Sequence, residues 1–264
     1  MEICRAIFLI VRQVVNCFLG LQEFLTTVKA IDVDVINRSN RDKGKSSQRS
    51  ASLVYAQLRQ EIIALQLEPG TVLNRSHLQG RFGLSSTPVR DALMRLGEEG
   101  LVETVAQSAT RVSLIDVDKA RQAQFMRRAL EQEAVEVLCL SADRSVSLEL
   151  RFLVDEQRSL AAKGDLNTFD GVDRKFHHRI FEAAHIVELY DLFRQRSGHI
   201  DRIRGLHLPQ RGRMKEIIED HELIVSAIKI GDPVAARAAI RDHLSRSLAY
   251  SPKLKELFPQ FFKF

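Results

Sequence analysis

The stretch PGTVLNRSHLQGRFGLSSTPVRDALMRLGEEGLV, residues 69–102, decides how the chain is read. Pro69-Gly70 marks a turn, and a short helical segment over about 75–82 stops at Gly83. Ser85, Ser86 and Thr87 offer N-caps to a further helix, and Pro88 sits in its first turn, where a missing N–H costs little. That helix carries Val89, Ala92, Leu93 and Leu96 on one face, leaves Ser86, Arg90, Met94 and Arg95 on the other, and ends near Gly100.

Upstream, Val54, Leu58, Ile62 and Leu65 recur at helical spacing before Glu68-Pro69-Gly70. Downstream, Leu101–Val105 and Thr110–Leu114 are short β-prone runs separated by AQSA, which reads as a hairpin. Three helices and a hairpin within residues 51–115 make a winged helix-turn-helix. From Asp116 onward there are only amphipathic segments, at about 116–141, 144–163, 165–184, 186–205, 211–230 and 232–248. The expected fold is therefore mainly α: a winged helix-turn-helix, an all-helical domain over 116–250, and a C-terminal tail over 251–264.

Composition sets bounds on function. A chain of 264 residues, 45% hydrophobic and 28% charged, suits two soluble globular domains. The net charge of +5 permits a nucleic-acid partner without demanding one. Residues 51–114 hold six Lys/Arg against six Asp/Glu, whereas 37–50 hold five against one. Attraction to DNA must then come from arginines gathered on one face and from the basic stretch before the domain. Cys4, Cys17 and Cys139 form no CxxC pair, which fits a reducing cytoplasm. Residues 6–25 are apolar but interrupted by Arg12, Gln13, Asn16, Gln22 and Glu23. They read as an amphipathic helix, a membrane anchor, or upstream sequence included by a wrongly placed start; a membrane span is the least favoured. Residues 1–50 as a whole read as an extension and basic linker, outside the native protein or disordered.

The helix after Gly83 is the natural recognition helix, since an α-helix fits the major groove with its N-terminal residues at base edges. Arg90 is the main candidate for a guanine or phosphate contact. Thr87 and the N–H groups at the helix start are ready phosphate ligands, and the hairpin tip at Gln107 and Ser108 could touch the adjacent backbone. The alternative is a small helical subdomain with solvated arginines. The PG turn, the STPVRDAL core and the L-x-x-E-G-L-V exit resemble, in register, the DNA-binding domain of the GntR family. The resemblance implies winged-helix binding to a double-stranded operator, with Arg90 carried over. Ser86 stands where the family usually places an arginine, and Arg75 and His77 stand where it has acidic residues. Arg75 or Arg81 would then substitute, with Arg95 on the same exposed side.

In the helical half, Asp173 and His177 lie one helical turn apart. His221 falls on the stripe Met214, Ile217, Ile218, Ile224, Val225, and His243 on Ala236, Ala239, Ile240, Ser247. Each is a polar group on an inward face, where it needs a partner. Three imidazoles and a carboxylate that converge can share a divalent metal ion; separately satisfied core histidines are the competing reading, and spacing alone gives no convergence. Arg127, on the stripe of Ala123, Leu130 and Ala134, can pair with an effector carboxylate or with Glu131. The D-x-x-F-H run (Asp173, Phe176, His177), the run H-x-x-I-x-x-A-I-x-x-G-D from His221, and His243-Leu244 resemble the FCD ligand-binding domain of the FadR subfamily, an antiparallel bundle of six to seven helices. The resemblance implies that Asp173, His177, His221 and His243 ligate zinc or nickel, that a small organic or sugar acid completes the site beside Arg127, and that the protein is a cytoplasmic homodimer. The alternative, a metal-dependent enzyme using Asp173 or Glu131 as base, lacks a clear general base outside the ligand set.

Overall fold

A computed structural model describes residues 47–105 and 109–263. The apolar stretch 6–25 and the hairpin tip at Gln107 and Ser108 lie outside the described residues. The chain divides into two compact units, residues 1–53 and 54–264, and the second carries both the winged domain and the helical bundle.

Helix α1 (residues 47–63) buries Val54, Leu58 and Ile62 along one stripe. Leu65, expected to continue that stripe, lies beyond the helix end at φ 59°. Its side chain packs instead against a separate apolar cluster, the one that contains Ile200 and Ile203. Strand β1 (Val72–Leu73) precedes α2 (Arg75–Phe82) and α3 (Ser86–Glu98). Asn74 Oδ1 caps α2 by accepting from His77 N at 3.0 Å, and Gly83 ends it at φ 64°. Strands β2 (Val102–Val105) and β3 (Ala109–Val112) form the expected hairpin, and β1 pairs antiparallel with β3 to give the sheet order β1-β3-β2. A two-residue strand is too short for alternation to betray it, so β1 had no sequence signature. Leu78, Val89, Ala92, Leu96 and Leu101 close the core of this winged helix-turn-helix.

Seven helices follow: α4 (Val117–Leu140), α5 (Val146–Lys163), α6 (Leu166–Ala183), α7 (Val187–Arg194), α8 (Gly198–His207), α9 (Arg213–Ile230) and α10 (Pro233–Ala249). Asp116, Asp165 and Asp232 cap α4, α6 and α10 by accepting backbone N–H bonds, and Gly164 and Gly231 end α5 and α9 in the left-handed region. The single helix expected over 186–205 is two. The chain turns at Ser197, whose Oγ bonds Arg194 O at 2.9 Å and Asp201 Oδ2 at 2.7 Å. Gly198 then lies so close to Leu101 that a Cβ would fall 3.0 Å from its Cγ; the break brings α8 against the end of the winged domain.

Residues 251–264, expected as a tail, instead fold back. Helix α11 (Ser251–Leu257) and a 3-10 turn (Pro259–Phe261) bury Leu254, Phe261 and Phe262 against Ile115, Val117 and Ile203. Ile115 N donates to Phe261 O at 2.8 Å, and Lys263 N donates to Ile115 O at 2.9 Å. Within the bundle, α10 packs on α4 and α9, and α5 on α6 and α9. The inward faces of α4, α6, α9 and α10 therefore meet around one core. Among the described residues, no helix is long and apolar enough to cross a membrane.

Candidate metal centre and nucleic-acid interface

Asp173 and His177 project from α6, His221 from α9 and His243 from α10, and all four are buried. One ligand atom from each lies within 4.8 Å of all the others. His243 Nε2 is 3.2 Å from His177 Nε2 and 3.3 Å from His221 Nε2. Two imidazole nitrogens bound to one zinc-sized ion at about 2.0–2.1 Å are separated by roughly 3.0–3.4 Å.

The outer nitrogen of each ring is held by an acceptor. His177 Nδ1 meets Glu131 Oε2 at 2.6 Å, His221 Nδ1 meets Gln157 Oε1 at 2.8 Å, and His243 Nδ1 meets Asp220 Oδ2 at 3.3 Å. Those acceptors place the ring protons on Nδ1 and turn three Nε2 lone pairs toward one point, an arrangement that a cation satisfies. Asp173 Oδ1 is buried without a hydrogen-bond partner, 3.7 Å from His221 Nε2. An orphaned carboxylate oxygen aimed at converging lone pairs is a costly feature in a folded chain unless something positive joins them. The donor set fits a divalent transition metal.

The electrostatics agree. Burial alone would raise the Asp173 pKa, but the Arg204 guanidinium bonded to Oδ2, together with the imidazoles, holds it well below the usual carboxylate range. Burial pushes His221 well below its ordinary value and His243 to about 4. Both therefore stay neutral, the form that ligates. Glu131, fully buried, is brought to about 2 against its burial by Arg127 and His177.

Above the cluster, a cavity with about 30 Å³ of free space is lined by Arg127, Arg204 and Arg213 together with Asp173, His243 and Ser247. Arg127 Nε donates to Glu131 Oε1 at 2.5 Å, so the pair expected as an alternative is present, and the guanidinium also stands 5.5 Å over the Phe193 ring. A separate groove of about 610 Å³ between α5 and α6, lined by Phe152, Lys175 and His178, contains none of the four clustered residues.

Sequence reasoning missed Arg204, Gln157 and Asp220. Arg204 sits on α8, whose start was unmarked, and Gln157 carries no ligand signature. Asp220 directly precedes His221, and a carboxylate beside a candidate ligand was the available cue.

In the winged domain, Ser86, Thr87 and Arg90 are exposed at the start of α3, and Arg75 is exposed at the start of α2. Arg90 lies 3.7 Å from Asp91 and keeps 59% of its side chain exposed. Arg81 is committed elsewhere: its guanidinium forms a two-pronged bond with Glu61 of α1, at 2.9 Å through Nη1. Arg95 stacks 3.9 Å over the Tyr55 ring.

A groove-sized exposed helix in a winged helix-turn-helix, joined to a helical bundle, is the architecture of a transcriptional regulator that reads DNA. Residues 50–112 match the family described as bacterial regulatory proteins, gntR family, and residues 122–246 match the FCD domain. The chain is 33% identical, over 219 residues covering 80% of it and 90% of the relative, to an uncharacterized HTH-type transcriptional regulator in an unstable DNA locus of Streptomyces ambofaciens. It is 26% identical to the HTH-type transcriptional repressor RspR of Escherichia coli, over 72% of this chain and 84% of that one. The solved structure of E. coli McbR/YncC shares the fold, with a TM-score of 0.65 at 23% identity over 78% of this chain and 98% of that one. The chain belongs to the GntR family and is consistent with its FadR-like subfamily. It is a DNA-binding transcriptional regulator, not an enzyme.

Proposed function

We propose that Asp173, His177, His221 and His243 hold one divalent ion, zinc or nickel, and that a small organic or sugar acid bound beside it controls operator binding. The observation that carries this reading is the convergence of three Nε2 atoms and the orphaned Asp173 Oδ1 beneath a cavity lined by arginines. The ion would act as a Lewis acid that accepts a carboxylate oxygen at open coordination positions. Glu131, Gln157 and Asp220 fix the imidazole orientations, and Arg204 fixes Asp173. Arg127 lines the effector side of the cavity.

DNA recognition is assigned to Arg90, Thr87 and Ser86 at the start of α3, with Arg75 beside them and Arg81 and Arg95 contributing positive charge behind. The working form is a cytoplasmic homodimer, since two recognition helices matched to two half-sites convert small shifts into affinity changes. Elemental analysis of the purified chain, paired with gel shifts on the DNA upstream of its own gene, tests both halves. Metal-free protein from metal-supplemented cells sinks the centre; absence of a shift there and upstream of neighbouring genes sinks the regulator.

A further inference from the structure

The charges around the cavity narrow the class of effector. Arg204 lies between Asp173, Asp170 at 3.9 Å and Asp201 at 3.8 Å. Arg174 pairs with Asp170 at 2.7 Å and Arg194 with Asp201 at 2.9 Å. Three guanidiniums thus face three carboxylates, and this set is neutral. The pairs Arg127–Glu131, Arg246–Asp220 and Arg213–Glu216 are each neutral as well. Among the described residues, then, the ion pairs around the cluster balance without any further charge.

A metal centre with three imidazoles adds none of its own negative charge, because metal-bound imidazole is neutral. Asp173 is already counted against Arg204, with Oδ2 on the guanidinium and Oδ1 turned to the imidazoles. A divalent ion there leaves two positive charges uncompensated in a buried setting, where unpaired charge is costly.

The cavity also holds one guanidinium whose compensation is weak. Arg213 is 4% exposed, but its partner Glu216, at 3.0 Å, has a side chain 50% exposed to water. Burial accordingly pushes the Arg213 pKa down. Arg127, by contrast, faces a fully buried Glu131.

We propose that the effector is a small dianion, a dicarboxylic acid, with one carboxylate directed to the metal centre and the other to Arg213. This rests on the metal centre proposed for Asp173 and the three histidines. The free space is about 30 Å³, room for a water or two, so the acid is short and its binding requires the side chains lining the cavity to move apart. Loss of one charge-assisted carboxylate–guanidinium bond corresponds to about 10- to 100-fold in affinity.

Titration calorimetry of the full-length, zinc-loaded chain tests this with malonate, succinate and malate against acetate, propionate, lactate and gluconate. At least one dianion is expected to bind about 10-fold or more tightly than every monoanion. In Arg213→Gln that preference should shrink to within about 3-fold, with metal content and monoanion affinity unchanged, while Arg213→Lys should retain part of it. Equal affinity for mono- and dianions, no binding of any dianion, or an undiminished preference in Arg213→Gln overturns the proposal. Metal content of the same samples separates the two levels. Bound metal without dianion preference removes this proposal alone, whereas no bound metal removes the reading beneath it.

Discussion

Arg202 of α8 donates from Nη1 to the backbone carbonyl of Ser113 at 2.6 Å, and Nη2 reaches Ser113 Oγ at 3.2 Å. The guanidinium is fully buried, and its other contacts are Gly198 O at 3.3 Å and His199 Nδ1 at 3.0 Å. No carboxylate lies within ion-pair distance of it among the described residues, and burial lowers its pKa to about 10. A charge solvated by the segment between β3 and α4 ties the helical bundle to the DNA-reading domain. The same nitrogen of His199 also accepts from Asp116 N at 3.0 Å.

Arg202→Met should therefore loosen this junction. Removing a charge-assisted bond to a buried carbonyl costs about 2–3 kcal/mol, or roughly 4–12 °C in Tm for a chain of this size. Calorimetry reads the shift, and limited proteolysis should report faster cleavage around residues 112–116. Wild-type Tm and cleavage in the variant would contradict it.

Substitutions around the metal centre should grade by distance from the ion. His177→Ala or His221→Ala should abolish stoichiometric metal in elemental analysis, with the helical circular dichroism retained. Glu131→Gln and Asp220→Asn, which weaken the bonds at His177 Nδ1 and His243 Nδ1, should lower metal affinity by about 10- to 100-fold. Unchanged occupancy in both alanine variants would remove the assignment.

On the DNA side, Arg90→Ala should weaken operator binding by about 1–3 kcal/mol, with metal content untouched. Arg81→Ala should act mainly on stability, because its guanidinium is held by Glu61. Gel shifts alongside thermal melts separate the two; a larger DNA-binding loss in Arg81→Ala than in Arg90→Ala would reverse the assignment.

Acid should destabilise the fold through histidines outside the metal centre. Burial first, with Arg202 and Lys119 adding to it, pushes His199 down to about 3; burial and Arg213 push His207 down to about 4. The unfolded imidazoles take up a proton near pH 6.5 while the folded ones do not, so stability is complete above that pH and is lost as pH falls from about 6.5 toward 4. Each group costs about 1–2 kcal/mol by pH 5. Glu131 and Asp201, both held to about 2 in the fold, add a stabilising contribution that begins to fall only below about pH 4.5, where the unfolded carboxylates take up protons. The urea midpoint should accordingly be lower at pH 5 than at pH 7.5, and His199→Asn/His207→Asn should flatten the difference.

Much of this was legible from the residues alone. Helix α3 announces itself through Ser85–Pro88 and the stripe Val89, Ala92, Leu93, Leu96, which is buried as patterned, while Ser85, Ser86 and Thr87 are exposed and Ser85, at the N-cap, makes no side-chain capping bond. Asp173, His177, His221 and His243 were nameable because a polar group on an apolar helical stripe stands out against its neighbours. Their meeting was not, since periodicity fixes a face within one helix and says nothing about which faces converge. Arg204 and Arg202 were hidden for a related reason: arginine is ordinarily a surface residue, and only the turn at Ser197 carries these two inward. The fold-back after Tyr250 depends on Phe261 and Phe262 finding Ile115, a partner about 150 residues distant that no local pattern reveals.

The bond between Arg204 and Asp173 has a consequence for the life of the protein before it meets any ion. Because a side chain of the same polypeptide already neutralises the buried aspartate, assembly of the bundle need not wait on a supply of metal. The cation proposed for this centre would then meet a finished site, and cells starved of it are expected to accumulate folded protein rather than debris.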